Sequence, residues 1–207
     1  MIVPAPYAVL LAAGAGTRFG GRKLSARWRG RTIVEHVVSS IKAAIEARDL
    51  AGLIAVIPPH PDFQLQADPQ SRVSVITNPD AARGLSGSLQ LGLHALAQPD
   101  VTPRAMAALI VLADQPMLRH EVIRSLVADW RSNGRSVRPR YSATPEVPGH
   151  PVLVTREDWS LADLSTGDSG LGALLSSIPG GIRLLDVSGM NPDIDTREDL
   201  AQLDRDA

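Results

Sequence analysis

The hydrophobic positions of this chain fall into short continuous runs and longer runs with helical spacing. Residues 7–13, YAVLLAA, are a continuous apolar run that ends at a glycine, which is typical of a strand buried on both faces. Thr32 and Glu35 then form a capping-box pattern, and apolar positions of one helix face follow to about Arg48. The proline-rich residues 136–151 are predicted as a long loop, and loops of that length are often functional. Another buried strand is predicted at residues 107–113, and further strands at residues 52–57, 72–76, 151–155 and 182–187.

Helical patterns separate most of these strands. Apolar residues recur with helical spacing at residues 89–96 and 119–130, and Thr196 is placed to cap a last helix. This alternation predicts an α/β fold, with a single doubly wound, mostly parallel sheet flanked by helices in one domain over residues 1–207. Ligands of such sheets bind at the carboxyl ends of the strands, where the glycine loop after the first run and Asp114 both lie.

The balance of charge narrows the classes of partner. The chain has 21 basic and 22 acidic residues and a formal net charge of −1, which argues against nucleic acid or an anionic membrane held by bulk electrostatics. Because it has no cysteine, it has no disulfide, thiolate zinc site or cysteine nucleophile, and we expect a cytoplasmic protein. The apolar start contains Pro4 and Pro6 and lacks the basic segment of a signal peptide, and no apolar run approaches the ~18 residues of a membrane span. Four histidines show no metal-ligand spacing and are predicted as surface or packing residues: His36, His60, His94 and His120.

The glycine loop LLAAGAGTRFGGRKLS, residues 10–25, differs from the familiar nucleotide-binding motifs. The loop does not match the dinucleotide-binding motif GxGxxG, because Phe19 occupies the position of the third glycine and the next capped helix starts well beyond it. The P-loop pattern also fails, since Gly16 and Gly21 have its glycine spacing but Arg22 occupies the lysine position. The loop is therefore neither of these two motifs.

A buried strand followed by a flexible loop with two cations still suits a polyphosphate. Backbone amides of the loop can converge on phosphate oxygens together with the side chains of Arg18 and Lys23. The alternative is a glycine-rich turn whose charges are simply solvated.

Five further motifs decide between these two interpretations. LAAGAGTRFGGRKL stands at the end of the first predicted strand, and LADQP stands at the end of a later one. In these two motifs the chain resembles the MobA-like nucleotidyltransferase family, and within it the molybdenum cofactor cytidylyltransferase group. GLSGSLQLGL lies between the two motifs, and PGHPVL, GDSG and DIDTREDL come after them, so the family's motifs occur in order along nearly the whole chain. The resemblance implies a Rossmann-like fold and a Mg²⁺-dependent transfer of a nucleoside monophosphate to a phosphate of a small acceptor, with release of pyrophosphate. Within the group the nucleotide is CTP, the acceptor is of the molybdopterin type, and a molybdoenzyme maturation partner is implied.

Nucleotidyl transfer accounts for the charged residues that these motifs contain. The attacking phosphate is already an anion, so the site needs charge neutralisation and alignment rather than a strong general base. The resemblance implies that Lys23, Arg18 and Asp114 are catalytic and that Asp114 and Asp195 bind Mg²⁺ through hard carboxylate oxygens. His150 and Asp168 would face the acceptor. The nucleotide-binding residues implied by the same motifs are Ala12, Ala13, Gly14, Gly16, Lys23, Gly84, Ser86 and Ser88.

Several of these assignments have a structural alternative. Asp195 precedes a capping-box-like helix start and would then serve only as a helix-entry residue, while Asp193 is a competing metal ligand. Ser88 would instead cap its helix, and His150 would simply pack the loop between Gly149 and Pro151.

The acceptor and the nucleotide also have rivals. Where relatives often follow GDSG with an arginine, this chain has leucine and glycine, so one cation expected near an anionic acceptor is missing. A guanylyltransferase or a sugar-phosphate nucleotidyltransferase would use the same chemistry, although LAAG resembles the cytidylyl group and LAGG is commoner in the guanylyl group. A non-catalytic nucleotide-binding maturation partner need not keep Lys23, Asp114 and Asp195, and all three are present.

Overall fold

A computed structural model of the chain describes residues 4–14, 16–81, 84–98, 105–167, 170–178 and 180–206. Short 3-10 turns cover Thr17–Phe19 and Arg156–Leu164. The α-helices are α1 Ile33–Glu46, α2 Leu85–Ala97, α3 His120–Asn133, α4 Gly170–Ser177 and α5 Arg197–Asp206. The strands are β1 Tyr7–Leu11, β2 Arg27–Trp28, β3 Arg31–Thr32, β4 Gly52–Ile57, β5 Val73–Thr77, β6 Ala107–Leu112, β7 Val137–Tyr141, β8 Val152–Thr155 and β9 Arg183–Val187.

Seven of the strands form one sheet in the order β5-β4-β1-β6-β8-β7-β9, and β2 and β3 form a separate hairpin. All neighbours in the sheet run parallel except β8, which is antiparallel to both β6 and β7. The register pairs Leu11 with Leu112, and Ile110 with Val152 at the start of β8. The segment that leads into β8 therefore reaches the same edge of the sheet at which β1 and β6 end.

Helices cover both faces of the sheet, and each face has its own core. Helices α1, α3 and α5 pack with one set of alternating strand residues, and α2 and α4 pack with the other. Helix α2 lies directly on β1, because a Cβ at Gly92 would overlap the side chain of Val9. This close packing holds the start of α2 beside the end of β1. In the described part of the chain, no helix is long and apolar enough to cross a membrane.

The predicted fold class is confirmed, since the sheet is mostly parallel and has helices on both faces. The predicted strands and helices are present, with ends that differ by a few residues. The capping box at Thr32 is present, with the Glu35 amide donating to the Thr32 hydroxyl and the Glu35 carboxylate accepting from the Thr32 amide.

The prediction of one long loop over residues 136–151 is wrong, because its first part forms β7. Proline is usually excluded from the middle of a sheet because it has no amide hydrogen to donate. Here β7 pairs with β8 only through Val137 and Leu153 and diverges from it afterwards, so Pro139 needs no donor on that side. The Pro139 carbonyl instead accepts from the Gly149 amide at 2.8 Å, which folds the remaining loop back along the strand.

Candidate active site at the carboxyl edge of the sheet

The glycine loop leaves β1 at the carboxyl edge and is fixed by one buried side chain. Phe19 is 3% exposed and anchors the 3-10 turn in the core. Gly16 begins this turn with a left-handed backbone, φ 58°, which favours glycine. A Cβ at Gly16 would lie 3.1 Å from Cβ of Lys23, so glycine also lets the two parts of the loop approach each other. The loop thus returns on itself and presents Lys23 toward the edge of the sheet.

Lys23 lies between two carboxylates that are far apart in the sequence. Its ammonium donates to Asp114 Oδ2 at 2.7 Å and to Asp195 Oδ1 at 3.1 Å. Asp114 follows β6, and the amide of Ile194 donates to the Asp114 carbonyl at 3.0 Å, which brings the segment of Asp195 to the same edge. The structure therefore places the three predicted residues in one cluster.

Asp195 is free to take part in this cluster because other groups cap α5. The Asp199 carboxylate accepts from the amides of Asp195 and Thr196 at 2.9 and 2.7 Å, and the Thr196 hydroxyl accepts from the Asp199 amide at 3.1 Å. The side chain of Asp195 instead accepts from Lys23 and, at 2.7 Å, from Arg18. The Arg18 side chain is 77% exposed, so this second ion pair contributes little to stability.

The charges in the cluster shift two pKa values. Burial lowers the pKa of Lys23, but the charges of Asp114 and Asp195 and the hydrogen bonds to them raise it, and the net pKa lies above its ordinary value. Desolvation and the charge of Asp114 raise the pKa of Asp193, although a hydrogen bond from Gln115 opposes the shift. Lys23 is therefore a cation at neutral pH, and the carboxyl group of Asp193 ionises less readily than a solvent-exposed aspartate.

The carboxylates of Asp114 and Asp195 also fit a Mg²⁺ ion. Asp114 Oδ1 is buried without a hydrogen-bond partner among the described residues, and an unpaired buried oxygen favours a cation. No group of three or more His, Cys, Asp or Glu side chains in the described ranges has the arrangement of a metal site. Magnesium commonly binds through one or two carboxylates together with substrate phosphates, so Asp114 and Asp195 suffice for an ion that arrives with a nucleotide.

A cavity of about 310 Å³ opens beside Lys23 and the glycine loop. The predicted nucleotide-binding residues Ala12, Ala13, Gly14 and Gly16 line it together with Lys23. Its opposite wall was not predicted from the sequence and comprises Pro58, His60, Asp62, Phe63 and Ala81. The sequence did contain a signal for this wall, since residues 58–63 directly follow the buried strand β4 and so emerge at the same edge.

The first turn of α2 contributes to a second cavity, of about 460 Å³. Gly84 is the N-cap residue of α2, with φ 96°, and Ser86 lines the cavity. Ser88 is buried, and its hydroxyl accepts from the Asn78 amide group at 3.0 Å, while no side chain caps α2. These residues do not line the glycine-loop cavity, and their role toward the base and ribose stays a prediction.

His150, which the sequence predicts to face the acceptor, joins a polar network that ends at Asp193. The His150 carbonyl accepts from the Tyr141 hydroxyl at 2.8 Å and from the Asn191 amide group at 3.3 Å. Asn191 also donates to Gln115 Oε1 at 3.1 Å, and Gln115 donates to Asp193 at 2.6 Å. Sequence reasoning missed Gln115 and Asn191, although Gln115 adjoins Asp114 in the LADQP motif. The predicted acceptor residue Asp168 lies outside the described residues.

Because the imidazole of His150 is buried, we expect the free energy of unfolding to depend on pH. Burial, with the charge of Arg138 as a second cause, lowers the pKa of His150 from 6.5 to about 4. The unfolded chain therefore binds this proton more readily, and the free energy of unfolding should fall by about 3 kcal/mol as the pH drops from 6.5 through 4. Urea unfolding of the wild type and of His150→Gln across this range measures the effect. The difference between the two curves should change by about 3 kcal/mol over this pH range, and parallel curves would contradict the assignment.

Three of the other histidines have structural partners, as predicted for packing or surface residues. His36 contacts the Trp28 carbonyl at 2.8 Å, His94 contacts Asp163 at 2.8 Å, and His120 contacts Asp49 at 2.7 Å. His60 differs because it lines the glycine-loop cavity.

The chain is similar to known proteins of two named activities. It is 26% identical over 149 residues to the molybdenum cofactor cytidylyltransferase of Escherichia coli K12, with 72% of this chain and 69% of that protein aligned. It is 29% identical over 217 aligned positions to the nicotine blue oxidoreductase of Paenarthrobacter nicotinovorans, with 97% of both chains aligned.

Solved structures share the fold. The crystal structure of Rv0371c from Mycobacterium tuberculosis H37Rv superposes with a TM-score of 0.75 and 25% identity over 96% of this chain and 97% of that chain. A complex of Rv0371c with manganese gives a TM-score of 0.71 and 22% identity over 98% of this chain and 100% of that chain. The model of the MobA-like NTP transferase domain matches residues 8–182, which include the glycine loop and Asp114. Since the match spans most of the sheet and its carboxyl edge, the chain belongs to the MobA-like NTP transferase family.

Proposed function

We propose that this protein transfers CMP from CTP to a phosphate of a small acceptor of the molybdopterin type, with release of pyrophosphate and with Mg²⁺ as cofactor. The observation that carries the proposal is the Lys23 ammonium bound between Asp114 and Asp195, beside a cavity lined by the glycine loop. A lysine ammonium bound to two carboxylates, beside a cavity lined by the glycine loop, supplies the charged groups that phosphoryl chemistry needs. The E. coli relative named as a cytidylyltransferase and the LAAG motif support CTP as the nucleotide.

The transfer requires one bond to form and one to break. An oxygen of the acceptor phosphate bonds to the α-phosphorus of CTP, while the bond from that phosphorus to the bridging oxygen breaks and pyrophosphate leaves with the electron pair. The attacking oxygen is already anionic, so no side chain has to remove a proton. Lys23 stays protonated, as the direction of its pKa shift indicates, and it offsets the charge that grows on the α-phosphate and the leaving group.

Asp114 and Asp195 would hold the Mg²⁺ ion at this edge. When bound, the ion neutralises phosphate charge and orients the two reacting groups. The manganese complex of Rv0371c supports a divalent cation in a protein of this fold. Asn191 donates to Gln115 and to the His150 carbonyl, which holds the loop of His150 at the carboxyl edge of the sheet. We propose that His150 and Asp168 lie toward the acceptor. A molybdoenzyme that receives the product is the partner implied by this reaction.

A redox reaction is the second candidate, because the relative named as an oxidoreductase aligns over nearly the whole chain. In cofactor-dependent redox reactions the cofactor carries the chemistry, and the protein supplies binding and orientation. Such a reaction does not call for a lysine between two carboxylates beside a phosphate loop. We therefore place nucleotidyl transfer first.

The direct test is to incubate the purified protein with Mg²⁺, each of the four ribonucleoside triphosphates and candidate acceptors, and to measure pyrophosphate. Pyrophosphate should appear with CTP and a molybdopterin-type acceptor and not with either alone. Equal or better use of GTP would reject the cytidylyl assignment but leave nucleotidyl transfer standing. Oxidation of a reduced nicotinamide nucleotide without pyrophosphate release would move the protein to the oxidoreductase class.

A further inference from the structure

The glycine loop carries three cations, and two of them are already paired with carboxylates. Lys23 binds Asp114 and Asp195, and Arg18 extends to Asp195 at 2.7 Å. Arg18 does not line the glycine-loop cavity. The sequence predicts Arg18 and Lys23 as the phosphate-binding side chains, but in this arrangement neither side chain offers an unpaired charge to the cavity.

Arg22, unlike Arg18 and Lys23, is not paired with a carboxylate of the described residues. It lines the glycine-loop cavity, and its guanidinium makes no ion pair or hydrogen bond with any described residue. Asp62, on the opposite wall of the cavity, accepts from the Ser25 hydroxyl and makes no ion pair with Arg22. Of the described arginine and lysine residues that line this cavity, Arg22 is therefore the one without a carboxylate partner.

Arg22 has an unfavourable backbone conformation that neighbouring contacts maintain. Arg22 has φ 55°, in the left-handed region that a non-glycine residue adopts only at a cost of about 1 kcal/mol or more. The Ser25 hydroxyl lies 3.1 Å from the Arg22 carbonyl and 2.9 Å from Asp62 Oδ2, which ties this turn to the opposite cavity wall. Gly20 and Gly21, both with φ 84°, supply the preceding turn. The side chain is thus directed to the cavity by a conformation that its neighbours maintain.

From these contacts we infer that Arg22 binds the β- and γ-phosphates of the nucleotide, and afterwards the pyrophosphate product, in place of Arg18. This inference rests on the proposed function. A guanidinium offers several N–H donors in a fork that suits two phosphate oxygens at once. Arg22 is then a substrate-binding residue that acts on the leaving group, while Lys23 acts at the α-phosphate.

The test is calorimetric titration of the full chain, in the presence of Mg²⁺, with CTP, CMP and pyrophosphate. Arg22→Gly removes the guanidinium and accepts the left-handed backbone. It should weaken the binding of CTP and of pyrophosphate by about 10-fold or more, since a charge-assisted hydrogen bond is lost, and should change CMP binding by less than about 2-fold. Arg29→Gly is the matched control because Arg29 is exposed, has φ 46° and does not line the cavity. It should leave all three affinities unchanged.

Two outcomes would overturn the inference. One is wild-type affinity for pyrophosphate in Arg22→Gly, and the other is a larger loss in Arg18→Ala than in Arg22→Gly. Thermal unfolding of each variant shows that the comparison is made on folded protein. If the wild type itself binds neither CTP nor pyrophosphate, the proposed function falls together with the inference, which separates that failure from a failure of Arg22 alone.

Discussion

Replacement of Asp114 by asparagine is expected to lower kcat by about 10² to 10³, or roughly 3 to 4 kcal/mol, by analogy with loss of one electrostatic stabiliser. The side chain keeps its size but loses the charge that binds Lys23 at 2.7 Å and that would bind the metal. Its unpartnered oxygen, Oδ1, would lose most of its affinity for a cation. The measurement is the rate of pyrophosphate release at saturating CTP, acceptor and Mg²⁺.

Asp186→Asn is the control for this change, because Asp186 is an exposed carboxylate in β9, at the far edge of the sheet. It should retain wild-type kcat. Asp195→Asn should behave as Asp114→Asn does. A folded Asp114→Asn protein with near-normal activity would remove Asp114 from the site, and an active Asp195→Asn beside an inactive Asp193→Asn would transfer the second metal role to Asp193.

Removal of the Lys23 side chain is the second change with a large expected effect. Lys23→Ala should lower kcat on the order of 10² and also raise the KM for CTP, because the ammonium stabilises charge that grows during the transfer as well as charge already present on the substrate. The same substitution leaves Asp114 and Asp195 close together without their shared cation. Steady-state kinetics over a range of CTP concentrations separates the two parameters.

The chain provides a direct control, since Lys42 is its other lysine and lines a different cavity along α1. Lys42→Ala should leave both kcat and KM at the wild-type values. A Lys23→Ala protein whose KM for CTP rises while kcat stays unchanged would restrict Lys23 to ground-state binding. The charge at the α-phosphate would then have to be offset by another group.

The strands of the sheet could be predicted from the sequence where full burial requires a continuous apolar run. The strand at residues 52–57 matches β4 at both ends because every residue of it is buried and must be apolar. β7 was missed because a proline interrupts its pattern, and the reason it is tolerated, the divergence from β8, is a property of the sheet and not of the segment. The β2–β3 hairpin was missed because each strand has only two residues.

The candidate site was predictable where motifs follow strands. Lys23, Asp114 and Asp195 were selected from separate motifs, and the structure joins them although 91 and 172 residues separate Lys23 from its partners. The choice between Arg18 and Arg22 was not accessible in the same way, because the two arginines share one loop and only its backbone conformation decides which faces the cavity. The Gln115–Asn191 contact likewise depends on the meeting of two distant segments.

The position of Lys23 between two carboxylates has a consequence for the order of assembly. The carboxylates of Asp114 and Asp195 lie beside the glycine loop, where they would repel a triphosphate that binds without metal. A divalent cation held by these carboxylates would offset their charge and would free the Lys23 ammonium to face the phosphates. Because such coupling between two ligands is reciprocal, the nucleotide must tighten the metal by the same factor as the metal tightens the nucleotide. The protein would then load the metal and the nucleotide together, and the lysine would act as the resident cation that occupies the carboxylates between turnovers.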